Sequence, residues 1–535
     1  MPSRSPILDL RLESVSLRSV LEAAHRHTVL WTGIIVGLAV FLAVRYLNSP
    51  WRRLPPGPTG LPIVGNALQM VGEPWIKFSA WRKEYGDLIY LSAAGQPVIV
   101  VNTQKVATDL LDRRAGIYSD RPPNIVACDI MTNGLFLSLT RYSDLWRRMR
   151  KAGHESLNKV VAHNFHDYQS LEALLLARDA LTNPAAWDKL LRRANASMIM
   201  ACVYDEPPLV SEQDPRISHL NHFTDRLTKA ATPGAHWVEM FPWMMYIPSR
   251  FAAWKRVAED SGKKDGDVFC GMYEHVQENL AKGDQRPSLC ATLAQDARRL
   301  GLSTLENAWI AATMYIGGSE TSYSTMSWWS YAMLAYPECQ KRVQEELDTV
   351  VGRARVPTFA DLPELPYIHA MIKEVLRWRP VLPLGLPHRS IEDDFYGGYF
   401  IPKGTVVIPN VWEMNRDTDV YGPDAREFRP ERHLDEAGCL LPGLPGTKDE
   451  NHHTFGFGRR ICIGRHIAND SLFIDIATCL WAFTFTNPKG QVLDVDTFTD
   501  GGLVFRPKPF DIEVQPRFPE ALGLLTSECE LRRSS

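Results

Sequence analysis

No pair of cysteines in this 535-residue chain is spaced C-x-x-C, although nine cysteines are present. Zinc and iron–sulfur ligation are thereby disfavoured. The odd count argues against a disulfide framework and suits a reducing compartment. Charge of one sign is not in excess either: 59 Lys and Arg against 62 Asp and Glu give a net −3, which offers no reason to expect a nucleic-acid partner. There is no phosphate-binding P-loop. Gly456-Phe-Gly458 begins a G-x-G-x-x-G, but position 461 is isoleucine, and no βαβ context places an acidic residue about twenty positions on. The chain therefore has no nicotinamide site of its own. It also lacks internal repeats and low-complexity blocks.

What is present in quantity is apolar material. A 45% hydrophobic content and 15 tryptophans suffice for a large core and an apolar pocket. One long uncharged run stands apart, the 17 residues Thr28–Val44. At about 1.5 Å per residue it spans roughly 25 Å, near the lower limit for a bilayer core, and Arg45 can snorkel to extend it to Leu47. No A-x-A-like cleavage site follows it, so a membrane anchor over 28–47 is favoured over a signal peptide. The flanking arginines do not settle its orientation. Residues 8–24 carry a mixed amphipathic pattern. Pro55-Pro-Gly-Pro58 cannot be helical and predicts a stiff hinge over 48–62.

The rest reads as one mainly α domain, 63–519, with a small β-rich region and a tail over 520–535. Leu88–Leu91 and Val98–Val101 predict a hairpin, and so do Tyr399–Ile401 and Thr405–Ile408 around Pro402-Lys-Gly404. Ser303-Thr-Leu-Glu306 is a capping box. It opens a helix expected to run to about Ala335, roughly 45–50 Å, long enough to cross a domain. Pro366 and Pro380 bracket a second helix, Tyr367–Trp378. The sequons Asn195-Ala-Ser and Asn469-Asp-Ser fall in helical stretches.

Three constellations carry chemistry. The first is Phe455-Gly-Phe-Gly-Arg-Arg-Ile-Cys-Ile-Gly464. A cysteine ligates metal as thiolate, which positive neighbours, free backbone N–H groups and a helix N-terminus favour. This loop offers all three, and its glycines let the backbone approach a flat ligand. A lone cysteine thiolate on haem iron favours O–O cleavage. The other eight cysteines read as small buried hydrophobes. The second is Gly317-Gly-Ser-Glu-Thr-Ser322 in the long helix. Two mid-helix glycines cost about 1 kcal/mol each, through close packing or for a groove beside a cofactor. The Thr321 hydroxyl can bond back one turn and open the helix locally, and Glu320 and Thr321 can act as proton donors. The third is Glu374-Val-Leu-Arg377, followed by Phe428-Arg-Pro-Glu-Arg432. Alone, an i, i+3 acid–base pair is usually a solvated face.

Phe455, Gly458, Arg460, Cys462 and Gly464 resemble the haem-binding signature of the cytochrome P450 family. With the Gly–Glu–Thr and Glu–Arg–Arg motifs in order, about residues 50–515 resemble fungal, basidiomycete-type microsomal members of secondary metabolism. Ile463 departs from the proline or small residue found in many members. The resemblance implies a P450 fold with a single-pass N-terminal membrane helix, haem b with Cys462 as axial metal ligand, and Glu320 and Thr321 as catalytic residues in oxygen activation. It implies cofactor contacts from Trp146, Arg150, His388 and Arg460, the first two as a W-x-x-x-R pair. It makes Glu374, Arg377 and Arg432 a buried cluster that holds the cysteine loop. It also implies electrons from NADPH through a cytochrome P450 reductase docking near Arg148, Lys151 and Arg459, and a catalytic domain on the cytosolic face of the endoplasmic reticulum. The pocket it implies is lined by Pro122–Phe136, Ala311–Gly318, Val381–Leu386 and Phe498–Val504, mostly apolar, for a lipophilic small molecule such as a terpenoid or polyketide. The readings that compete are a haem-thiolate isomerase or dehydratase that needs no dioxygen, a xenobiotic-detoxifying monooxygenase, and a non-catalytic haem carrier or sensor.

Overall fold

The computed structural model describes residues 17–232, 234–500 and 504–534. The pattern noted over 8–24 therefore lies partly outside the described residues. The chain divides into two compact units, Met1–Pro55 with Asp393–Pro402, and Pro56–Glu392 with Lys403–Ser535.

In the first unit a single helix runs Leu17–Leu47. Its span His27–Leu47 is long and apolar enough to cross a membrane, and none of it is buried. The helix thus begins well before the expected start at Thr28. The same unit holds the two-stranded hairpin Asp394–Tyr396 and Tyr399–Ile401. This corrects the expected pairing of Tyr399–Ile401 with the strand after Pro402. Gly397 and Gly398 both take positive φ, 58° and 85°, as a two-residue hairpin turn demands. That Gly-Gly, not Pro402-Lys-Gly404, is the turn.

The second unit is mainly helical. Its four-stranded sheet runs Leu88–Ala93, Gln96–Val101, Val406–Pro409, His388–Arg389. The expected hairpin pairs Leu88 with Val101, and Gln96–Val101 then pairs in parallel with Val406–Pro409. From Pro56 onward the expected hinge is docked, because the Pro56 carbonyl accepts the Tyr90 N–H at 2.9 Å. Residues expected as a tail form the helix Ala521–Ser534. Its Ala521, Leu525 and Cys529 are buried in the core, since their i, i+4 spacing puts them on one face.

The long helix is Thr304–Ala335, opened by the predicted Ser303–Glu306 capping box. Its first half, Ala308–Ile316, belongs to a core built around Trp309, Phe223 and Phe269. Its second half, Tyr323–Leu334, belongs to another around Trp328, Trp329 and Trp481. Between the two cores Gly317 is exposed and Gly318–Thr321 are half-buried. One apolar helix therefore crosses the unit, and between the two cores it is accessible at the Gly-Gly-Ser-Glu-Thr segment. Asn195 is buried in helix Trp187–Tyr204, and Asn469 lies in helix Arg465–Ala482.

Candidate active site

The cysteine loop folds through glycines in the left-handed region, with φ 75° at Gly456 and 55° at Gly458. A Cβ on Gly458 would lie 2.1 Å from the Leu111 carbonyl oxygen, so no other residue fits there. Asp112 accepts the Gly458 N–H, and the Cys462 N–H donates to the Phe455 carbonyl at 2.8 Å. Helix Arg465–Ala482 starts three residues after the cysteine. It ends at Ala482, where the expected helical run passes into the strand Phe483–Thr486. Cys462 is exposed, whereas Cys128, Cys202, Cys290, Cys339, Cys479 and Cys529 are buried. Cys439 is exposed and Cys270 half-buried, which corrects two of the eight expected buried cysteines.

Burial is the largest influence on the Cys462 thiol and raises its pKa, while Arg150, the Gly464 N–H and Arg465 oppose it. Coordination to a cation is what deprotonates such a group.

Beside the loop stand four basic side chains. Arg460 donates to the Ser119 and Thr140 carbonyls, each at 2.8 Å, and lies 3.9 Å over the Trp146 ring. Arg150 donates to the Ile461 carbonyl. Arg121 donates to Leu386 O and Pro387 O, both at 2.7 Å. His388 Nδ1 meets the Tyr118 carbonyl at 2.8 Å. Burial first, then mutual repulsion, lowers Arg460 to about 8, Arg121 to about 9 and His388 to about 3. Burial, with Arg465, lowers Arg150 to about 10. The nearby carboxylate, Asp120, is committed to Arg141 at 2.8 Å. Among the described residues no carboxylate hydrogen-bonds any of the four. Clustered buried cations without a counter-ion fit a dianion, and the two propionates of haem have that charge. Trp146 gives its indole N–H to the Leu137 carbonyl at 3.2 Å, so its contribution here is the ring face beneath Arg460.

On the long helix the two glycines do different work. A Cβ on Gly318 would stand 2.6 Å from Ile199 Cδ1, while one on Gly317 would meet nothing within 4 Å. Gly318 permits close packing and Gly317 leaves space. Thr321 Oγ1 donates to the Gly317 carbonyl at 2.5 Å, as its spacing predicts, yet the helix continues unbroken through Thr304–Ala335. The expected local opening is absent because a hydroxyl back-bond can be added without losing the backbone ladder. Glu320 Oε2 lies 3.7 Å from Arg506 Nη1.

Glu374 and Arg377 form a bidentate pair with both contacts at 2.7 Å and both side chains fully buried. Arg432 reaches Glu374 at 3.0 Å and His433 at 3.0 Å. Burial would raise the Glu374 carboxyl, but Arg377 and His433 outweigh it and hold its pKa well below the usual range. The motif is thus core and not surface.

Sequence reasoning missed Arg121, Arg506, Asn415 and His433. The run Asp120-Arg121-Pro122 held the only signal for the first, a charged pair before a proline. Of the expected docking bases, Lys151 pairs with Glu155 at 3.8 Å, Arg148 donates to the Gly301 carbonyl, and Arg459 donates to Tyr142 Oη. Part of the expected pocket segment Phe498–Val504 lies outside the described residues.

Residues 55–514 match the family model for cytochrome P450. The chain is 56% identical over 507 residues to a cytochrome P450 monooxygenase of Armillaria gallica, covering 94% of this chain and 97% of the relative. It is 44% identical over 502 residues to cytochrome P450 monooxygenase 58 of Postia placenta (92% and 95% covered). It is 40% identical over 560 residues to cytochrome P450 monooxygenase iboC of Amanita muscaria (95% and 99% covered).

Proposed function

The chain belongs to the cytochrome P450 family and is an oxidoreductase of it, and from that premise we propose that it inserts one oxygen atom from dioxygen into a lipophilic small molecule of secondary metabolism. Haem b, bound through Cys462, supplies the dioxygen activation. The observation that carries this reading is the juxtaposition of an exposed cysteine at a helix start with the uncompensated cations Arg121, Arg150 and Arg460.

In this reading Cys462 would hold the haem iron through its thiolate, with the Gly464 N–H and Arg150 stabilising its charge. Arg121, Arg150, Arg460 and His388 would hold the two propionates, and Trp146 backs Arg460. Thr321 and Glu320 sit between the two cores of the long helix, where the Thr321 hydroxyl and the Glu320 carboxyl would serve as proton donors. Glu320 draws on its contact with Arg506, which connects it to the polar group Tyr323, Arg192 and Asp188. The mostly apolar segments Ala311–Gly318 and Val381–Leu386, which the family resemblance puts at the pocket, suit a terpenoid or polyketide. With no nucleotide signature in its sequence, the chain takes NADPH-derived electrons from a flavoprotein reductase. His27–Leu47 anchors it to the endoplasmic reticulum membrane, with the catalytic unit in the cytosol.

The reduced protein under carbon monoxide should give the red-shifted Soret band of a thiolate ligand, and Cys462→Ser should abolish it. A wild-type band like that of a histidine-ligated globin would overturn the ligation. Turnover of a metabolite library by membranes that carry the chain and its reductase tests the substrate class. Oxidation of NADPH and substrate at full rate by the purified chain alone would overturn the partner.

A further inference from the structure

In the segment before the cysteine loop a carboxylate turns inward. Glu450 is 13% exposed at its side chain. Its Oε2 accepts the Asn469 amide at 3.0 Å, and its Oε1 stands 3.9 Å from Arg465 Nε. Arg465 in turn donates through Nη1 to the Cys462 carbonyl at 3.4 Å. Asn469 and Arg465 are four apart on helix Arg465–Ala482, so one carboxylate engages two side chains of its first turns.

The backbone is bent to place it there. Seven described non-glycine residues have positive φ, and three of them flank Glu450: Lys448 at 54°, Asp449 at 70° and Asn451 at 62°. Such conformations cost of order 1 kcal/mol each and persist where the surroundings enforce them. Here the Asn451 side chain accepts the Leu444 N–H at 2.7 Å, Tyr421 Oη donates to the Asn451 carbonyl at 2.9 Å, and Lys373 donates to the Asp449 carbonyl. Three anchors thus fix a strained turn whose inward product is the Glu450 carboxylate.

We propose that Glu450 is a positioning residue which sets the reduction potential of the iron held by Cys462. Its carboxylate holds Arg465 at the Cys462 carbonyl and adds a negative charge one contact away from the cysteine. This rests on Cys462 being the iron ligand. Reduction adds an electron to the iron and its ligand, and a fixed negative charge nearby in low dielectric disfavours that addition. The Arg465 contact offsets part of the effect, so the net influence is a modest one.

The test is a reductive titration of haem-loaded enzyme followed by its Soret band, on wild type, Glu450→Gln, Glu450→Asp and Asn469→Ala. Glu450→Gln keeps a side chain of equal size and removes the charge. It should retain the red-shifted carbon monoxide band and ease reduction by about tenfold in equilibrium constant, which is 59 mV less negative for one electron. Glu450→Asp, which keeps the charge, should lie nearer to wild type, and Asn469→Ala should shift less than Glu450→Gln. A Glu450→Gln potential equal to wild type with the band intact would overturn the proposal. Loss of the band in both Glu450→Gln and Glu450→Asp would overturn it too, by making Glu450 a structural element only. A wild type without the band would overturn the ligation and the tuning with it, whereas an intact band with equal potentials overturns the tuning alone.

Discussion

Arg377 donates to the carbonyl of Asn415 at 2.7 Å, and this bond joins the buried ion cluster to the cysteine loop. The Asn415 side chain accepts the His453 N–H at 2.9 Å and donates to Thr454 Oγ1 at 3.1 Å. Thr454 Oγ1 donates back to Leu376 O at 2.6 Å, beside Arg377 on its own helix. One residue later Phe455 holds the Cys462 N–H. The distance from Glu374 to Cys462 in sequence is thus bridged by a short run of buried and half-buried polar contacts.

Removing one member of such a cluster leaves a buried charge unpaired, at about 3–5 kcal/mol. Glu374→Gln should lower thermal stability by that order and cut the fraction of chain that binds haem. Asn415→Ala should lose haem retention with a smaller loss of stability, since it removes neutral bonds of about 1 kcal/mol each. Thermal unfolding and the haem-to-protein absorbance ratio measure both. Equal stability in Glu374→Gln and wild type would mean that the cluster supports nothing.

The cysteine loop, the long helix with its capping box and the ion cluster were legible because each is a local pattern with a mechanical cause. What was not legible depends on distant packing. Arg121 becomes a neighbour of Arg460 only when Asp120 bridges to Arg389, far along the chain. The hairpin at Gly397-Gly398 was assigned the wrong turn because Pro402-Lys-Gly404 also satisfies turn chemistry, and only the parallel pairing of Val406–Pro409 with Gln96–Val101 decides between them.

Thr321 has its hydroxyl bonded to Gly317 O and a neighbour, Thr325, bonded in turn to Thr321 O at 2.9 Å. Thr321→Ala should leave the helix and haem content intact and raise the peroxide released per NADPH consumed. Thr321→Ser, which keeps the hydroxyl, should restore coupling in large part. Product yield per NADPH unchanged in Thr321→Ala would make the residue a packing element.

The two glycines make a matched pair of tests. Gly317→Ala gains about 1 kcal/mol of helix propensity and meets no atom, so the protein should be at least as stable, while the added methyl narrows the open segment and weakens binding of bulky ligands. Gly318→Ala forces Ile199 to shift and should be less stable than Gly317→Ala by about 1–3 kcal/mol. Denaturation midpoints and ligand-induced Soret shifts separate the two. Equal stabilities would show that Ile199 gives way without cost.

Asp475 offers a pH test away from the cysteine. It lies on helix Arg465–Ala482, where burial first and then Glu172 raise its carboxyl to about 8, against some relief from Arg193. Arg193 is already paired with Glu172 at 2.7 Å, so two acids share one cation. A carboxyl raised in the fold keeps its proton where the unfolded chain has lost it. Its penalty is therefore absent below the unfolded value near 4, grows as pH rises, and levels off above about 8. Asp475→Asn mimics the protonated form and removes the penalty. It should be more stable than wild type at pH 8, with the gain shrinking by about 1 kcal/mol per pH unit toward pH 5. Denaturation of the haem-loaded protein across that range measures it. A gain that does not change with pH would place the Asp475 proton on and off at the same pH in both states, and burial would then not govern it.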